Sequence, residues 1–298
     1  MHQLAVGQFQ QLAAGIYLEG LAVDQQRDMV WYSDVVGGGL YGIRPNGGIE
    51  TLNPGRMWTG GVMMNHDGSV LSSGQGGIMW NNPDSGKSGW LINEINGSPV
   101  NGINEMVPDG SGGIFFGTVD IDMVIEGATP RPTNLYRLTA DREVILLAEG
   151  IGFTNGIMFD SSRKTFYCND TFNRTWAFDV TEDLTLTNKR PFFERDDVDG
   201  MALDADGNVW ITGFQHGVLT RVSPDGALLD PVETPGEAIT QVRFGGSDAC
   251  DFYINCVPID GGESLKNGET LTEHRSFLYR GRSESPGRVM EPARFTIG

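Results

Sequence analysis

Short hydrophobic and polar runs alternate along this chain and repeat at a regular interval. The repeating unit is a six-residue phrase: a polar or small residue, then usually Gly, an apolar–any–apolar run, and in most copies Asp at the sixth position. The phrase is clearest at residues 155–160 and 199–204. We call the first residue of each copy its head residue. The six head residues are Glu19, Gly60, Asn104, Asn155, Asp199 and Thr240, spaced 41 to 51 positions apart.

The segments between the phrases favour β-structure throughout. A turn rich in Asp, Gly and Ser follows each phrase, then an apolar run such as Val209–Ile211, and a third run follows in most repeats. A period in the forties in a β-rich chain is typical of one four-stranded propeller blade per repeat. The sequence therefore predicts an all-β fold, a six-bladed β-propeller with four-stranded blades around a central channel, and no convincing helix. Residues 1–18 and Val289–Ile297 are alternative candidates for closing the ring.

Repeat coverage and composition indicate the number of domains and exclude some classes of partner. The repeats cover nearly all of residues 1–298, which favours a single domain. No apolar run approaches the ~18 residues of a membrane span, and no leader segment is recognisable. The formal net charge of −18 argues against nucleic-acid and anionic-membrane partners. Three cysteines without a CxxC pair favour a reducing compartment. We therefore expect a cytoplasmic protein with no obligatory protein partner.

The head residues also predict a site. The first strand of each propeller blade lines the channel, so residues at one register of these strands point towards a common axis. Four heads, Glu19, Asn104, Asn155 and Asp199, carry a carboxylate or amide oxygen. Such hard ligands suit one divalent ion: Ca²⁺, Mg²⁺ or Mn²⁺, with Zn²⁺ or Fe²⁺ depending on supply. A single Asn-Gly or Asp-Gly is more typical of a turn, but four oxygen residues at one register favour a metal site.

The phrases and their surroundings resemble the SMP-30/gluconolactonase family over about residues 15–257. The motifs that carry the resemblance occur in order and include Glu19-Gly20, Asn104-Glu105, Asn155-Gly156 and Asp199-Gly200-Met201. The resemblance implies a six-bladed propeller with one divalent metal in its channel, held by the same four head residues. It also implies hydrolysis of lactones, in which the metal polarises the ester carbonyl while water attacks. Asp199 is then our candidate for orienting or deprotonating that water.

Departures from the family pattern bear on the substrate. Gly102 stands where the family often has an Arg that binds sugar hydroxyls, and Glu105 replaces the usual Asp. We therefore expect a substrate less hydroxylated than a typical sugar lactone. The candidate substrate-binding residues are Trp58, Met106, Phe153, Asp120 and Asp122. Glu105 is a second candidate for the catalytic base, and a solvated surface position is the alternative for Glu105, Asp120 and Asp122.

Three functions remain open at this point. The first is a metal-dependent lactonase acting on a small-molecule lactone. The second is a hydrolase of another ester, such as a phosphotriester, with the same metal site. The third is a propeller that binds a ligand or protein without turnover and uses the metal structurally. The complete set of four oxygen residues favours the first two.

Overall fold

The described part of the chain comprises residues 4–44, 46–126 and 131–297 of a computed structural model and contains twenty-six strands and two short helices. The elements of the first half are β1 (Phe9–Gly15), β2 (Leu18–Asp24), β3 (Met29–Asp34), β4 (Leu40–Ile43), β5 (Ile49–Leu52), β6 (Thr59–Met64), β7 (Val70–Gly74), β8 (Ile78–Asn81), β9 (Ser88–Ile92), β10 (Glu94–Ile95), β11 (Ser98–Pro99), β12 (Ile103–Pro108), β13 (Ile114–Thr118), α1 (Asp122–Glu126), β14 (Thr133–Leu138) and β15 (Val144–Ile151). Those of the second half are β16 (Thr154–Asp160), β17 (Thr165–Asp170), β18 (Arg174–Val180), β19 (Leu186–Phe193), β20 (Val198–Leu203), β21 (Val209–Gly213), β22 (His216–Val222), β23 (Leu228–Glu233), β24 (Ala238–Gly245), β25 (Asp251–Val257), α2 (Gly261–Lys266) and β26 (Ser276–Arg282).

The fold is all-β and propeller-like, as the repeat predicts. Four antiparallel sheets follow the chain strand by strand: β2–β5, β6–β9, β12–β15 and β16–β19. An eight-stranded sheet holds β20–β23 together with β24, β25, β26 and β1, and the pair Gly213↔Ile239 joins its two halves. The first strand of each repeat packs against the next in a closed cycle, β2, β6, β12, β16, β20, β24 and back to β2.

Each predicted phrase forms one of these inner strands, and in the four copies that end in Asp this residue caps the turn that follows. The Asp109 carboxylate accepts hydrogen bonds from the backbone N–H of Ser111 and Gly113 at 2.7 and 2.9 Å. The Asp204 carboxylate accepts one from the Asn208 N–H at 2.9 Å. A carboxylate that satisfies turn N–H groups in this way stabilises a tight hairpin. The repeated Asp of the phrase is therefore a structural residue.

The structure decides which terminal segment completes the last sheet. β1 pairs antiparallel with β26, from Phe9↔Gly281 to Gly15↔Ser276, so the N-terminal segment supplies the outer strand of the last sheet. The C-terminal segment instead crosses between the inner-strand ends. Ala293 pairs with Asn65 and Phe295 is fully buried in a core cluster.

Large apolar side chains pack between neighbouring sheets. Phe115 of β13 contacts Phe166 of β17 with ring centroids 5.2 Å apart, and Phe166 in turn contacts Phe178. Trp210 of β21 meets Phe244 of β24, with ring centroids 4.9 Å apart, where the two halves of the eight-stranded sheet join. The core is thus a series of layers around the ring rather than one central mass.

Helices are few and short in the part of the chain that the structure describes, but they are not absent as the sequence suggested. The long insertions of the third and sixth repeats each contain a short helix, α1 and α2, where no helix was expected, and the two helices contact each other. No helix within residues 4–44, 46–126 and 131–297 is long and apolar enough to cross a membrane.

Candidate functional site

The inner strands bring the four predicted oxygen residues to one cavity. Glu19, Asn104, Asn155 and Asp199 line it, each as the second residue of its strand. The Gly60 head lines the same cavity, whereas the sixth head, Thr240, is buried and donates its hydroxyl to the Leu18 carbonyl at 2.7 Å. The cavity has an empty volume of about 760 Å³, its opening to solvent included.

A β-bulge in every inner strand orients the heads. The pairing register shifts around the head in each of the six strands, for example between Ile103 and Met106 in β12. An extra residue at this point breaks the simple alternation of the strand, so the head and its successor both face the channel side. The next residue then enters the core: Leu21, Val62, Met106, Ile157 and Met201 are all fully buried.

The glycines that follow the heads are not turn residues. Gly20, Gly61, Gly156 and Gly200 lie within strands and none has a positive φ. A Cβ on Gly156 would lie 2.3 Å from the Asp199 carbonyl oxygen. The glycines are needed because the inner strands approach each other closely, which sets aside the turn interpretation of the phrase.

Side chains from the second strand of the preceding repeat hold the backbone of most heads. The hydroxyl of Ser73 donates to the Asn104 carbonyl at 2.6 Å, and the Asn169 amide donates to the Asp199 carbonyl at 2.5 Å. Ser33, Thr212 and Asn255 make the equivalent bonds to Gly60, Thr240 and Glu19. These positioning residues were not predicted from the sequence, although each lies 13 to 15 positions after a head residue, a spacing that could have identified them.

The cavity holds two carboxylates in an environment that disfavours their charge. Burial, and secondarily the charge of Glu105, raises the pKa of Glu19 to about 8, while a hydrogen bond with Asp199 acts in the opposite direction. Burial and the charge of Glu19 raise the pKa of Asp199 well above its usual range. Asp199 Oδ1 is buried and has no hydrogen-bond partner among the described residues. A cation between the two carboxylates would offset both penalties.

The donor set fits a divalent ion. Two carboxylates and two amide groups face the cavity, and Asn104 donates its N–H to the Thr154 carbonyl at 3.0 Å, which leaves its amide oxygen as an acceptor. Oxygen ligands with two negative charges suit a hard divalent cation. Within the described ranges no group of three or more His, Cys, Asp or Glu forms such a site, so the amide oxygens of Asn104 and Asn155 are required to complete one.

The predicted substrate-binding residues divide into two groups. Trp58 and Phe153 line the cavity. Met106 does not, because the bulge turns it into the core cluster that contains Met63 and Phe116. Asp120 and Asp122 lie outside the cavity lining and pair with Arg131 at 2.6 and 2.8 Å.

Glu105, the second candidate base, is engaged elsewhere. Its Oε2 accepts hydrogen bonds from Arg243 Nη2 at 2.7 Å and from Gln241 Nε2 at 2.6 Å, and its Oε1 accepts one from the Met106 N–H. It is 2 % exposed and is not part of the cavity lining. Among the described residues, Asp199 is thus the cavity carboxylate with an oxygen that has no hydrogen-bond partner.

Most of the cavity wall is apolar and was not predicted from the sequence. Residues that share this wall include Tyr17, Val35, Ile121, Met123, Phe172, Phe214 and Leu265. Met123 comes from α1 and Leu265 from α2, so the two insertions supply walls. Lys266 also lines the cavity, with its ammonium 5.1 Å from the Phe172 ring centroid. No periodic signal marks these residues, because they lie in the loops and helices between strands.

Comparison with known proteins gives the site its context. The sequence model of the SMP-30/Gluconolactonase/LRE-like region matches residues 18–257. Pentonolactonase XacC from Haloferax volcanii is 27% identical over 280 residues, 89% of each chain. The 6-deoxy-6-sulfogluconolactonase of Pseudomonas putida is 26% identical over 77% of this chain and 79% of its own. The solved structure of a calcium-binding protein, regucalcin, from Agrobacterium tumefaciens superposes with a TM-score of 0.78 at 20% identity, covering 95% of both chains.

Proposed function

Since the chain belongs to the SMP-30/gluconolactonase/LRE-like family, we propose that it is a divalent-metal-dependent hydrolase that opens a lactone. The observation that carries this proposal is the convergence of Glu19, Asn104, Asn155 and Asp199 in one cavity, where Asp199 Oδ1 is buried without a partner among the described residues. The names of two relatives, a pentonolactonase and a sulfogluconolactonase, support the reaction class.

The same four residues would hold the ion, which is one of Ca²⁺, Mn²⁺, Zn²⁺, Mg²⁺ or Fe²⁺. When bound, such an ion supplies Lewis acidity towards an ester carbonyl. Two carboxylates balance its charge, and the amide oxygens of Asn104 and Asn155 add neutral ligands. The Agrobacterium relative is described as a calcium-binding protein, which agrees with an oxygen-ligand site of this kind.

In this proposal Asp199 handles the proton of the attacking water. Its backbone is held by Asn169 and its Oδ1 accepts no hydrogen bond within the described chain, so this oxygen is available to orient a water and take its proton. Tyr17 lines the cavity near both carboxylates. Burial and the charges of Glu19 and Asp199 raise the pKa of Tyr17 well above its usual value, so its hydroxyl stays protonated and can donate to a substrate oxygen.

The wall composition favours a substrate with few hydroxyl groups. Gly102 contributes no polar side chain, and a Cβ there would lie 2.9 Å from Val119 Cγ1, so Val119 and its neighbour Ile121 occupy this side of the cavity. Aromatic rings from Trp58, Phe153 and Phe172 add to the apolar wall. An alkyl or aromatic lactone would bury its body here without leaving hydroxyl groups unpaired.

A six-bladed ring is part of the same proposal. β20–β23 and the group β24, β25, β26 and β1 each have the four-strand order of the other sheets, and a single residue pair links them. Counting them as two blades gives six inner strands in a closed cycle. Four of the blades then each contribute one ligand residue to the channel.

The test is proton release across a panel of sugar, alkyl and aromatic lactones and one phosphotriester, before and after chelation and with each metal restored. We expect metal-dependent acid release that is fastest with an alkyl or aromatic lactone. Asp199→Asn should lower kcat/KM at least about a hundredfold, the range for loss of a general base. Asp179→Asn, which changes an exposed carboxylate on β18, is the matched control and should keep parental activity.

Other results of this experiment would contradict particular parts of the proposal. Turnover that survives chelation would exclude the metal, and a sugar lactone as the best substrate would exclude the apolar preference. Hydrolysis confined to the phosphotriester would replace the lactone assignment. No turnover of any substrate by the folded, metal-loaded protein would leave a binding propeller.

A further inference from the structure

Three polar side chains that follow head residues in sequence meet across the ring. Glu105 lies on β12, whereas Gln241 and Arg243 lie on β24, which stands opposite β12 in the cycle of inner strands. Glu105 Oε2 accepts from Gln241 at 2.6 Å and from Arg243 at 2.7 Å. Each of the three residues is at most 3 % exposed. The contact therefore bridges the channel inside the protein.

The neighbouring glycines leave room for this contact. The residue after the head is Gly in four repeats, and the two exceptions are Glu105 and Gln241. A Cβ on Gly61 would lie 2.3 Å from Glu105 Oε1, and one on Gly200 would lie 2.4 Å from Gln241 Oε1. The channel at this level therefore accommodates two large polar side chains because the other four positions have none.

The guanidinium is held in a single arrangement. Arg243 Nη1 donates to the Met201 carbonyl at 2.8 Å, to the Val242 carbonyl at 2.9 Å and to Gln241 Oε1 at 2.6 Å, while Nη2 bonds Glu105. A buried ion pair of this kind rarely stabilises a fold more than apolar residues of similar size would. Its position beside the ligand cavity points to another role.

The carboxylate of Glu105 acts electrostatically on the cavity. Glu105 directly follows Asn104, which lines the cavity, and it is buried, so water screens its charge only weakly from the cavity. When all three carboxylates are ionised, Glu19, Asp199 and Glu105 together with the Arg243 guanidinium carry two net negative charges. That sum equals the charge a divalent cation would neutralise.

We infer that Glu105 and Arg243 set the affinity of the oxygen cluster for a divalent cation, with Gln241 holding the two in register. The inference rests on the metal site of the proposed function. Glu105 adds attraction for the ion without contacting the cavity, and Arg243 limits that attraction. Neither is a catalytic residue, because neither lines the cavity; both are positioning residues whose effect reaches the ligands through charge.

The pair allows a test in which an electrostatic and a structural role give opposite results. Mn²⁺ binding to the folded, chelator-treated protein is measured by calorimetry. Glu105→Gln removes a negative charge and should weaken Mn²⁺ binding roughly ten- to hundredfold. Arg243→Met removes the positive charge and should bind Mn²⁺ at least as tightly as the parent. The double variant restores two negative charges and should return to within a few-fold of the parent.

Two further variants separate charge from packing. Arg243→Lys keeps the charge while altering the hydrogen bonds, and should not tighten binding. Asp251→Asn breaks another buried ion pair, with Arg280 at 2.7 Å on β26, and should leave the Kd for Mn²⁺ unchanged.

The outcomes are distinct. Weaker binding by both Glu105→Gln and Arg243→Met, with a still weaker double variant, would show a structural role and overturn the inference while leaving the metal site intact. Absence of Mn²⁺ binding, and of Ca²⁺ binding, by the parent protein would overturn the metal site itself and this inference with it.

Discussion

At the scale of single residues, the function of a position depends on its place relative to the bulge. Asn104, Glu105 and Met106 are consecutive, yet the first lines the cavity, the second spans the channel and the third is buried in the core. A regular strand would place Asn104 and Met106 on the same face. Met106 was predicted to contact substrate because it is close to a head residue in sequence, but the bulge places it in the core.

The crowding around the post-head glycines can be tested by adding one methyl group. Gly156→Ala should lower the free energy of unfolding by about 2 kcal/mol or more, because its Cβ would lie 2.3 Å from a backbone oxygen that cannot rotate away. Gly55→Ala is the control, since nothing lies within 4 Å of its Cβ and it should be near neutral. Urea denaturation measures both. Equal stability of the two variants would contradict the close approach of β16 and β20.

At the scale of elements, the chain ends and the insertions carry roles that the repeats do not reveal. β1 completes the sheet that ends with β26, while the C-terminal segment buries Phe295 among residues of other sheets. The insertions fold as α1 and α2 and contribute Met123 and Leu265 to the cavity wall. Both kinds of segment act by covering edges or openings that the repeated strands leave exposed.

Removal of β1 tests the closure. A chain lacking residues 1–15 leaves β26 as an unpaired edge and should lose roughly 5–10 °C in Tm, with more aggregation. A chain lacking only residues 1–7 keeps β1 (Phe9–Gly15) intact and is the matched control, expected to retain the parental Tm. Calorimetry and light scattering report the two effects. The same Tm for both truncations would mean that β1 adds nothing to the ring.

At the scale of the whole molecule, the cavity brings together residues from four inner strands. Elsewhere each inner strand packs mainly against the strands next to it in the ring. Glu19, Asn104, Asn155 and Asp199 come from β2, β12, β16 and β20. An ion bound to all four would join these strands through one centre. In the metal-free protein the same cavity brings two buried carboxylates together, which makes the stability of the fold depend on pH.

The direction of that dependence follows from the raised pKa values. Glu19 has a folded pKa of about 8 against 4.5 for the free side chain. Its contribution to stability is therefore complete below pH 4.5 and is lost as the pH rises through about 8. The pKa of Asp199 is raised in the same direction. The chelated protein should thus have a lower Tm at pH 9 than at pH 6, and Mn²⁺ should remove most of the difference.

Glu19→Gln provides the control for this prediction, because it removes one of the two charges and should flatten the pH dependence of the chelated protein. Thermal unfolding in EDTA and in Mn²⁺ between pH 5 and 9 measures it. A chelated parent whose Tm does not fall in this range, or a variant with the parental slope, would contradict the assignment of the effect to this cavity.

The sequence alone determined the repeat, the inner strands and the four oxygen residues. Each of these depends on local sequence. A phrase of six residues predicts an inner strand, the turn after it and one head residue, and the interval between phrases predicts the size of one blade. Because every inner strand has the same register, the repeat by itself predicts that the four oxygen residues lie together. The family resemblance selected the same residues independently.

The tertiary structure alone decided the rest. The bulges moved Met106 into the core, the pairing of Glu105 with Arg243 across the ring withdrew it from the cavity, and Arg131 held Asp120 and Asp122 outside the lining. The choice of β1 over the C-terminal segment for the last sheet also belongs here. Each outcome depends on residues far apart in the chain, such as 105 and 243, and no local pattern records which distant partner a side chain will meet.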